Sequence, residues 1–254
     1  VNLNVPDAQG RTAMHYLASD GNVELMKTLK LYGLSYTQPD NEGRRPCDNP
    51  VLQAKFKMNP NAKYKMNPLH LACAEGDMPT IDLLMAMGIY GLYDVDEKGR
   101  NGLHHAASHD GDKVIAHLRS VYNMDSKRQC HSGLLAIHHA VMKSAMVALK
   151  SLVEHGDSYE ELGNLGEQPI HFACMLGNMA IFRFLIAQGV NVRAANIKKQ
   201  NCVFYAAFFS NIELLEILLN EFKFDLLSLV DENKSTPLHC ALNACTLKVV
   251  KFFC

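Results

Sequence analysis

Histidine and cysteine are the residues of this sequence with the greatest potential for chemistry. The chain has 12 histidines and 8 cysteines among 254 residues. Imidazole nitrogens and thiolates are common zinc ligands, and an adjacent Cys–His pair can form an activated nucleophile. Both uses require the side chains to converge on one point. The spacing of these residues therefore decides whether such chemistry is expected.

Six of the histidines recur at one phase of the sequence. Phe204 fills the same phase between two of them, so the steps from His70 onward are 33 to 35 residues. The step from His15 to His70 is 55 residues and leaves an intermediate phase at Asp48. We call these eight places marker positions. The marker histidines are His15, His70, His104, His138, His171 and His239.

Other residues follow the same period and predict the elements that carry the histidines. A glycine lies 18 residues after four of the markers, where it can end a helix in the left-handed conformation. The intervening segments are apolar at helical spacing, and Pro68, Pro169 and Pro237 suit a first helical position. Each unit is therefore predicted to be a turn, a short helix, a second helix and a stop. The four glycines are Gly33, Gly88, Gly156 and Gly189.

This periodicity argues against metal binding and catalysis. Markers one repeat apart lie about 10 Å from each other, the diameter of a helix, whereas zinc requires ligands within about 2.0–2.3 Å of one point. No cysteine belongs to a Cys-x-x-Cys motif, and we find no phosphate loop, nucleophile elbow or calcium loop. We expect free cysteines that pack as small apolar residues. The sequence predicts no enzyme, no metal and no cofactor.

The repeated motif resembles the signature of the ankyrin-repeat family, Asp-x-x-Gly-x-Thr-Pro-Leu-His-x-Ala. The resemblance implies an all-α solenoid of helix-turn-helix units with β-turn or hairpin fingers, curved in a right-handed stack. It also implies that the marker imidazoles hydrogen-bond backbone between neighbouring turns, and that the chain binds a protein partner. The best matches are Asp7-Ala8-Gln9-Gly10-Arg11-Thr12, Asn67-Pro68-Leu69-His70-Leu71-Ala72, Asp96-Glu97-Lys98-Gly99 and Ser235-Thr236-Pro237-Leu238-His239.

The domain organisation predicted is one array over residues 1–254 with eight phases. The last phase is truncated, which suggests a fragment of a larger protein. The phase at about 40–65 is broken, because too few residues separate Asp48 from His70 for a full unit. We expect a short helix after Asp48 and then a basic, irregular insert within Asn49 to Lys65. The insert could contact an acidic partner or lipid headgroups, or could be a solvated loop or a bend.

Composition narrows the classes of partner. Lys and Arg total 25 against 26 Asp and Glu, so the net charge of −1 gives no electrostatic reason to expect nucleic acid or an acidic membrane. The sequence contains no run of eighteen apolar residues and does not begin like a signal peptide. We therefore expect no membrane span in this segment and an intracellular, cytoplasmic location. The sequence does not predict an oligomeric state.

The predicted partner-binding residues lie four and five places past the markers, on the exposed side of each first helix. These positions are polar in early repeats, as in Ser19-Asp20, and become apolar in later ones. Exposed apolar patches usually mark interfaces. The alternative is that these side chains pack under a neighbouring loop. The predicted binding residues are Met142, Met175, Leu176, Phe208 and Phe209.

The leading functional hypothesis is a protein–protein interaction scaffold that binds its partner on the concave face of the stack. One alternative is the cytoplasmic ankyrin segment of an ion channel of the transient-receptor-potential type. Another is the non-catalytic repeat region of a larger enzyme. Sequence following residue 254 would distinguish these alternatives.

Overall fold

The computed structural model describes residues 4–56, 66–226, 228–244 and 247–253 of the chain. Throughout these residues the regular structure is helical, and no strand is present. The predicted all-α repeat architecture is confirmed. The chain divides into two compact units, Val1–Ala106 and Ala107–Cys254.

Unit 1 contains two helical hairpins and one short helix between them. The first helix of each hairpin begins just before a marker histidine, and the second follows after a turn of a few residues. A further helix, α6, lies at the boundary of the two units. The helices are α1 (Ala13–Asp20), α2 (Val23–Leu31), α3 (Pro50–Lys55), α4 (Pro68–Glu75), α5 (Met78–Met87) and α6 (Gly102–Ser108).

Unit 2 is a row of four hairpins preceded by one helix. The first helices of these hairpins, α8, α10, α12 and α14, pack side by side in chain order, and each also packs against its own second helix. The helices are α7 (Asp112–Ser120), α8 (Ala136–Met142), α9 (Met146–Glu154), α10 (Pro169–Leu176), α11 (Met179–Ala187), α12 (Cys202–Phe208), α13 (Ile212–Asn220), α14 (Pro237–Asn243) and α15 (Leu247–Phe253).

Helix boundaries follow the chemistry predicted from sequence. Pro68, Pro169 and Pro237 each occupy the first residue of a helix, where their missing N–H is not needed. At six of the eight markers, the residue six places later has a positive φ and follows the end of the first helix. Glycine suits this left-handed conformation, yet Asp110, Ser144 and Ser210 adopt it as well.

The marker histidines form hydrogen bonds with backbone groups through their ring nitrogens. In all six, Nδ1 accepts a backbone N–H from three residues earlier at 2.9 to 3.3 Å. In four of them, Nε2 lies 2.9 to 3.1 Å from a carbonyl 23 to 29 residues further along the chain. Because Nδ1 must accept and Nε2 must donate, the imidazole is neutral with its proton on Nε2. The structural role implied by the family resemblance is confirmed for these four histidines.

The fingers that precede the first helices are tight turns closed by one side chain. In the first finger, the Asp7 carboxylate accepts the backbone N–H groups of Gln9 and Arg11, both at 2.9 Å. The residue eight places before other markers makes the same pair of hydrogen bonds to backbone N–H groups. In one finger this residue is asparagine. The closing residues with this pattern are Asp7, Asp40, Asp96, Asn196 and Asp231.

The broken repeat in unit 1 provides a single helix. A 3-10 turn at Pro46–Asp48 and the short helix α3 pack against α1, and the predicted short helix is thereby confirmed. Helix α2 packs directly against α5. Lys27 Nζ lies 2.6 Å from the Asp77 carboxylate, and the Tyr36 hydroxyl donates to the Pro79 carbonyl at 3.3 Å. The rest of the predicted insert, residues 57–65, lies outside the described residues.

The cysteines of the described chain are free thiols. Five are buried, and Cys240 is half-buried, as expected for small packing residues. Within the described residues, no helix is long and apolar enough to cross a membrane. The buried cysteines are Cys47, Cys73, Cys130, Cys174 and Cys202.

Candidate functional site

The predicted binding residues lie on one face of unit 2. They occupy the C-terminal turns of α8, α10 and α12, which are neighbours in the row of first helices. Leu176, Phe208 and Phe209 are 44%, 45% and 47% exposed, and Met142 and Met175 are partly exposed. A neighbouring loop therefore leaves Leu176, Phe208 and Phe209 largely uncovered, and their role in partner binding stays a prediction.

Phe208 and Phe209 also border a groove of about 360 Å³, which we call the aromatic groove. It lies between α12 on one side and α14 with its finger on the other. Aromatic rings come from α12, and polar side chains come from the two adjacent fingers. Its lining residues are Gln200, Phe204, Tyr205, Phe208, Phe209, Asp231, Asn233, Ser235, Cys240 and Asn243.

Helix α12 has a phenylalanine at its marker position and two more phenylalanines at its C-terminal end. Phe204 stands where the other repeats of unit 2 have histidine and is 2% exposed. The Asn201 side chain accepts the backbone N–H of Val203 and caps the helix start. Phe208 and Phe209 follow one turn later, with ring centroids 5.1 Å apart in an edge-to-face arrangement. This helix therefore presents two adjacent exposed rings at the mouth of the groove.

The acidic group of the aromatic groove is Asp231. One carboxylate oxygen accepts the N–H groups of Asn233 and Ser235 at 2.9 Å, and the other accepts the Gln200 amide at 3.2 Å. Burial acts to raise the pKa of Asp231, but these hydrogen bonds and the charge of the nearby His239 ring outweigh it and leave the pKa below its ordinary value. The groove therefore contains a negative charge beside aromatic rings.

The tyrosine of the aromatic groove is fixed by the same scaffold. The Asn196 side-chain amide donates to the Tyr205 hydroxyl at 3.0 Å. In unit 1, the finger residue at the corresponding place also contacts the residue after the marker, because the Tyr16 hydroxyl donates to Asp7 at 2.5 Å. The same nine-residue relationship therefore orients Tyr16 and Tyr205, and Tyr205 is held at the groove by its own finger.

A cysteine and a histidine also come together in unit 2. Cys130 Sγ lies 3.5 Å from His139 Nε2 and 3.1 Å from the Ser132 hydroxyl. Cys130 stands where other fingers have Asp or Asn, and His139 follows its marker. The contact therefore joins the same two repeat positions, nine residues apart, as the contact of Asn196 with Tyr205, but here the finger residue is a buried thiol. No role was predicted for this pair from the sequence, and its position is explained by the repeat.

The exposed positions of α10 and α12 were predicted from the sequence, but the polar half of the groove was not. Asp231, Asn233 and Gln200 belong to fingers, and they were not considered as binding residues. A usable signal was present, since Asp recurs eight residues before markers and Arg four residues after that Asp in three fingers. The finger of Asp231 departs from this pattern at Ser235.

Comparison with protein families supports the repeat assignment. Two family models match this chain, one described as "Ankyrin repeats (3 copies)" over residues 111–196 and one as "Ankyrin repeats (many copies)" over residues 203–253. Among solved structures, the human ASB11 ankyrin repeat domain is similar with a TM-score of 0.57 and 20% identity. That similarity covers 73% of this chain and 81% of the other.

Several curated proteins are similar in sequence. The Transient receptor potential cation channel subfamily A member 1 homolog of Caenorhabditis elegans is 26% identical over 75% of this chain. Rabankyrin-5 of Homo sapiens is 25% identical over 60% of it. This chain spans 14% of the length of each of these two. Protein phosphatase 1 regulatory subunit 27 of Mus musculus is 38% identical over 26% of this chain and 42% of its own length.

Proposed function

This chain belongs to the ankyrin-repeat family, and we propose that it is a protein–protein interaction scaffold that holds its partner on the face formed by first helices and fingers. This is the face that the family resemblance implies to be concave. In unit 2 it carries the exposed side chains of α8, α10 and α12 and the aromatic groove. The partner is a protein, and nucleic acid is not the expected ligand.

The observation that supports this proposal is the exposure of two adjacent phenylalanines at the mouth of a groove. Phe208 and Phe209 are nearly half exposed, although each could bury a large apolar area. Aromatic residues and methionine are enriched in the cores of protein interfaces. Met142, Met175 and Leu176 extend the apolar surface along the neighbouring helices. A partner laid across these helices would bury all five side chains.

The proposed activity is binding without catalysis, in an intracellular, cytoplasmic setting. The curated relatives described above are named as a channel, a regulatory subunit and Rabankyrin-5, and none of the three names denotes an enzyme. The Cys130–His139 pair is part of the repeat scaffold. These points favour a module that positions other proteins.

A second candidate is the ankyrin segment of an ion channel of the transient-receptor-potential type. The observation that favours it is the extent of the similarity to the nematode channel homolog, which covers 75% of this chain. The adjoining sequence of the natural gene tests this candidate. Several apolar segments of about 20 residues downstream of residue 254 would support the channel, and a complete reading frame without them would contradict it.

Affinity capture with matched variants tests the scaffold proposal. The test variant carries Phe208→Ser and Phe209→Ser, and the control carries Val121→Ser and Val147→Ser, which change two exposed apolar residues elsewhere in unit 2. Quantitative mass spectrometry should show proteins retained by wild type and control and reduced about tenfold with the test variant. Circular dichroism verifies that both variants are folded. An unchanged set of captured proteins with a folded test variant would refute the proposal.

A further inference from the structure

Three fingers of this chain share an ion pair that the finger of α14 lacks. In each, an arginine four residues after the closing aspartate donates from Nε to the carboxylate. The distances are 3.1 Å for Arg11 and Asp7, 2.9 Å for Arg44 and Asp40, and 2.9 Å for Arg100 and Asp96. The arrangement is therefore a regular feature of the acidic fingers in unit 1.

In the finger of α14, Ser235 occupies the place of the arginine. Asp231 is 6% exposed, and in the described part of the chain no lysine or arginine forms an ion pair with it. Its neighbours through hydrogen bonds are the Gln200 amide and two backbone N–H groups. A carboxylate with this degree of burial usually has a cationic partner.

A second groove, in unit 1, shows what stands at the corresponding place in another repeat. It has a volume of about 460 Å³ and is lined by the equivalent positions of the repeat, including Tyr16, Ser19 and Asp40. Arg44 lies in this groove and pairs with Asp40 at 2.9 Å and with Glu42 at 2.7 Å. The aromatic groove has Ser235 where this groove has Arg44, and Phe208 where it has Ser19.

Aromatic rings of this scaffold already contact a guanidinium elsewhere. Arg11 places its Cζ 4.7 Å from the centroid of the Tyr16 ring while it pairs with Asp7. Tyr205 is the residue that corresponds to Tyr16 in the repeat of α12, and it lines the aromatic groove with Phe208. Aromatic faces attract cations through their quadrupoles. The groove therefore combines a carboxylate and rings that together suit a guanidinium group.

We propose that the aromatic groove receives an arginine side chain from the partner protein, whose guanidinium pairs with Asp231 in the way that Arg44 pairs with Asp40. The apolar residues next to that arginine contact Phe208 and Phe209. This inference rests on the proposed function, because it names the chemistry of the partner at the same surface.

Arginine fits this site better than lysine for a geometric reason. The arginines of the other fingers present a planar group that can donate from two nitrogens to one carboxylate and stack on a ring. An ammonium group is a compact, strongly hydrated charge and cannot reproduce this arrangement. The site is therefore expected to discriminate between the two cations.

A peptide series tests the inference with defined probes. The probes are acetyl-Leu-Arg-Leu-amide and its citrulline and lysine counterparts, and binding to the 254-residue chain is followed by NMR chemical-shift titration. Citrulline keeps the planar shape without the charge. We expect the arginine peptide to shift the signals of Phe208, Phe209 and Asp231 and to bind about tenfold more tightly than either counterpart. Equal affinities for the three peptides would overturn the proposal.

Two substitutions locate the effect at the carboxylate. Asp231→Asn removes the charge and should preserve the finger, because Asn196 closes its own finger with the same two hydrogen bonds at 2.9 Å. Ser235→Arg supplies the absent arginine within the chain. We expect both to remove the preference for the arginine peptide over the citrulline peptide. Ser235→Gln, which adds length without charge, should retain that preference, and its loss there would contradict the ion pair.

The outcomes also separate this inference from the proposed function. If Asp231→Asn leaves affinity capture unchanged while the Phe208→Ser and Phe209→Ser variant abolishes it, the face binds protein but the arginine assignment is wrong. If both variants reduce capture and the arginine peptide competes for the same proteins, the inference is supported. If neither variant alters capture, the proposed function fails together with the inference.

Discussion

His138 bridges two segments of backbone with its two ring nitrogens. Its Nδ1 accepts the N–H of Leu135 at 3.1 Å, and its Nε2 lies 3.0 Å from the carbonyl oxygen of Glu167. A protonated ring could not accept at Nδ1, so the bridge requires the neutral form. Burial lowers the pKa of His138 to about 4, despite the opposing effect of the carbonyl groups.

The pH dependence of stability should follow from this shift. In the unfolded chain the histidine takes up a proton near its ordinary pKa of about 6.5, whereas in the folded chain it resists protonation until about pH 4. The part of the free energy of unfolding that depends on neutral His138 is therefore fully present above about pH 6.5 and is lost as the pH decreases. Protonation of this histidine in the unfolded chain should lower the free energy of unfolding by about 2 kcal/mol at pH 5.

Urea unfolding followed by circular dichroism at pH 7.5, 6 and 5 measures this effect. Burial also lowers the pKa values of His70 and His171, so the total loss should exceed that of one residue. NMR of the imidazole nitrogens should show the neutral Nε2–H tautomer at pH 7. A free energy of unfolding that stays constant from pH 7.5 to pH 5 would contradict the prediction.

Asn211 should be important for holding neighbouring repeats of unit 2 together. Its side-chain amide donates to the carbonyl oxygens of Cys174 and Met175, both at 2.8 Å, at the end of α10. Gly177 permits this approach, since a Cβ there would lie 2.6 Å from the Asn211 amide oxygen. Asn211→Ala should lower the free energy of unfolding by about 2 kcal/mol.

The variant Asn211→Asp provides a sharper comparison at the same position. It keeps the size of the side chain but turns its donor into an acceptor that faces two carbonyl oxygens. The loss measured by thermal or urea unfolding should therefore exceed that of the alanine variant. An aspartate variant as stable as wild type would show that these hydrogen bonds do not stabilise the repeat pair.

The ion pair between Lys27 and Asp77 should stabilise the direct contact of α2 with α5. The atoms are 2.6 Å apart and both side chains are about three-quarters buried. A double-mutant cycle with Lys27→Met and Asp77→Asn should give a coupling energy of about 1 kcal/mol. Asparagine retains the ability of residue 77 to cap α5 through the N–H of Thr80.

Salt provides the control for that cycle. Because the pair is only partly buried, 1 M NaCl should reduce the coupling energy. A coupling energy near zero at low salt would mean that packing between α2 and α5 holds the shortened repeat without help from the charges.

Features that recur in every repeat could be predicted from the sequence. Features that occur in only one repeat could not. Marker histidines, helix starts at Pro68, Pro169 and Pro237, and the exposed pair Phe208–Phe209 could all be predicted, because each follows from a shared period. The packing of α2 against α5 could not. It depends on contacts between residues about 50 positions apart, such as Lys27 and Asp77, across a repeat that breaks the pattern.

The polar half of the candidate site was predictable in principle from a comparison of the repeats. The difference between Arg44 and Ser235 is visible in the sequence, but its meaning requires the knowledge that both positions border a groove. The contribution of Gln200, which reaches Asp231 from the preceding finger at 3.2 Å, depends on the way that consecutive fingers pack.

The replacement of histidine by Phe204 has a consequence for the finger that follows it. At the other markers of unit 2 for which the contact is described, the imidazole ties one repeat to the next, and a phenyl ring cannot do so. The finger of residues 231–235 retains the N–H of Glu232 on the Lys198 carbonyl and the contact of Gln200 with Asp231. The backbone amides of this finger should therefore exchange with deuterium faster than those of the segments that His138 and His171 contact through Nε2. The surface beside the aromatic groove can thus adjust its shape at a lower energetic cost than the rest of unit 2.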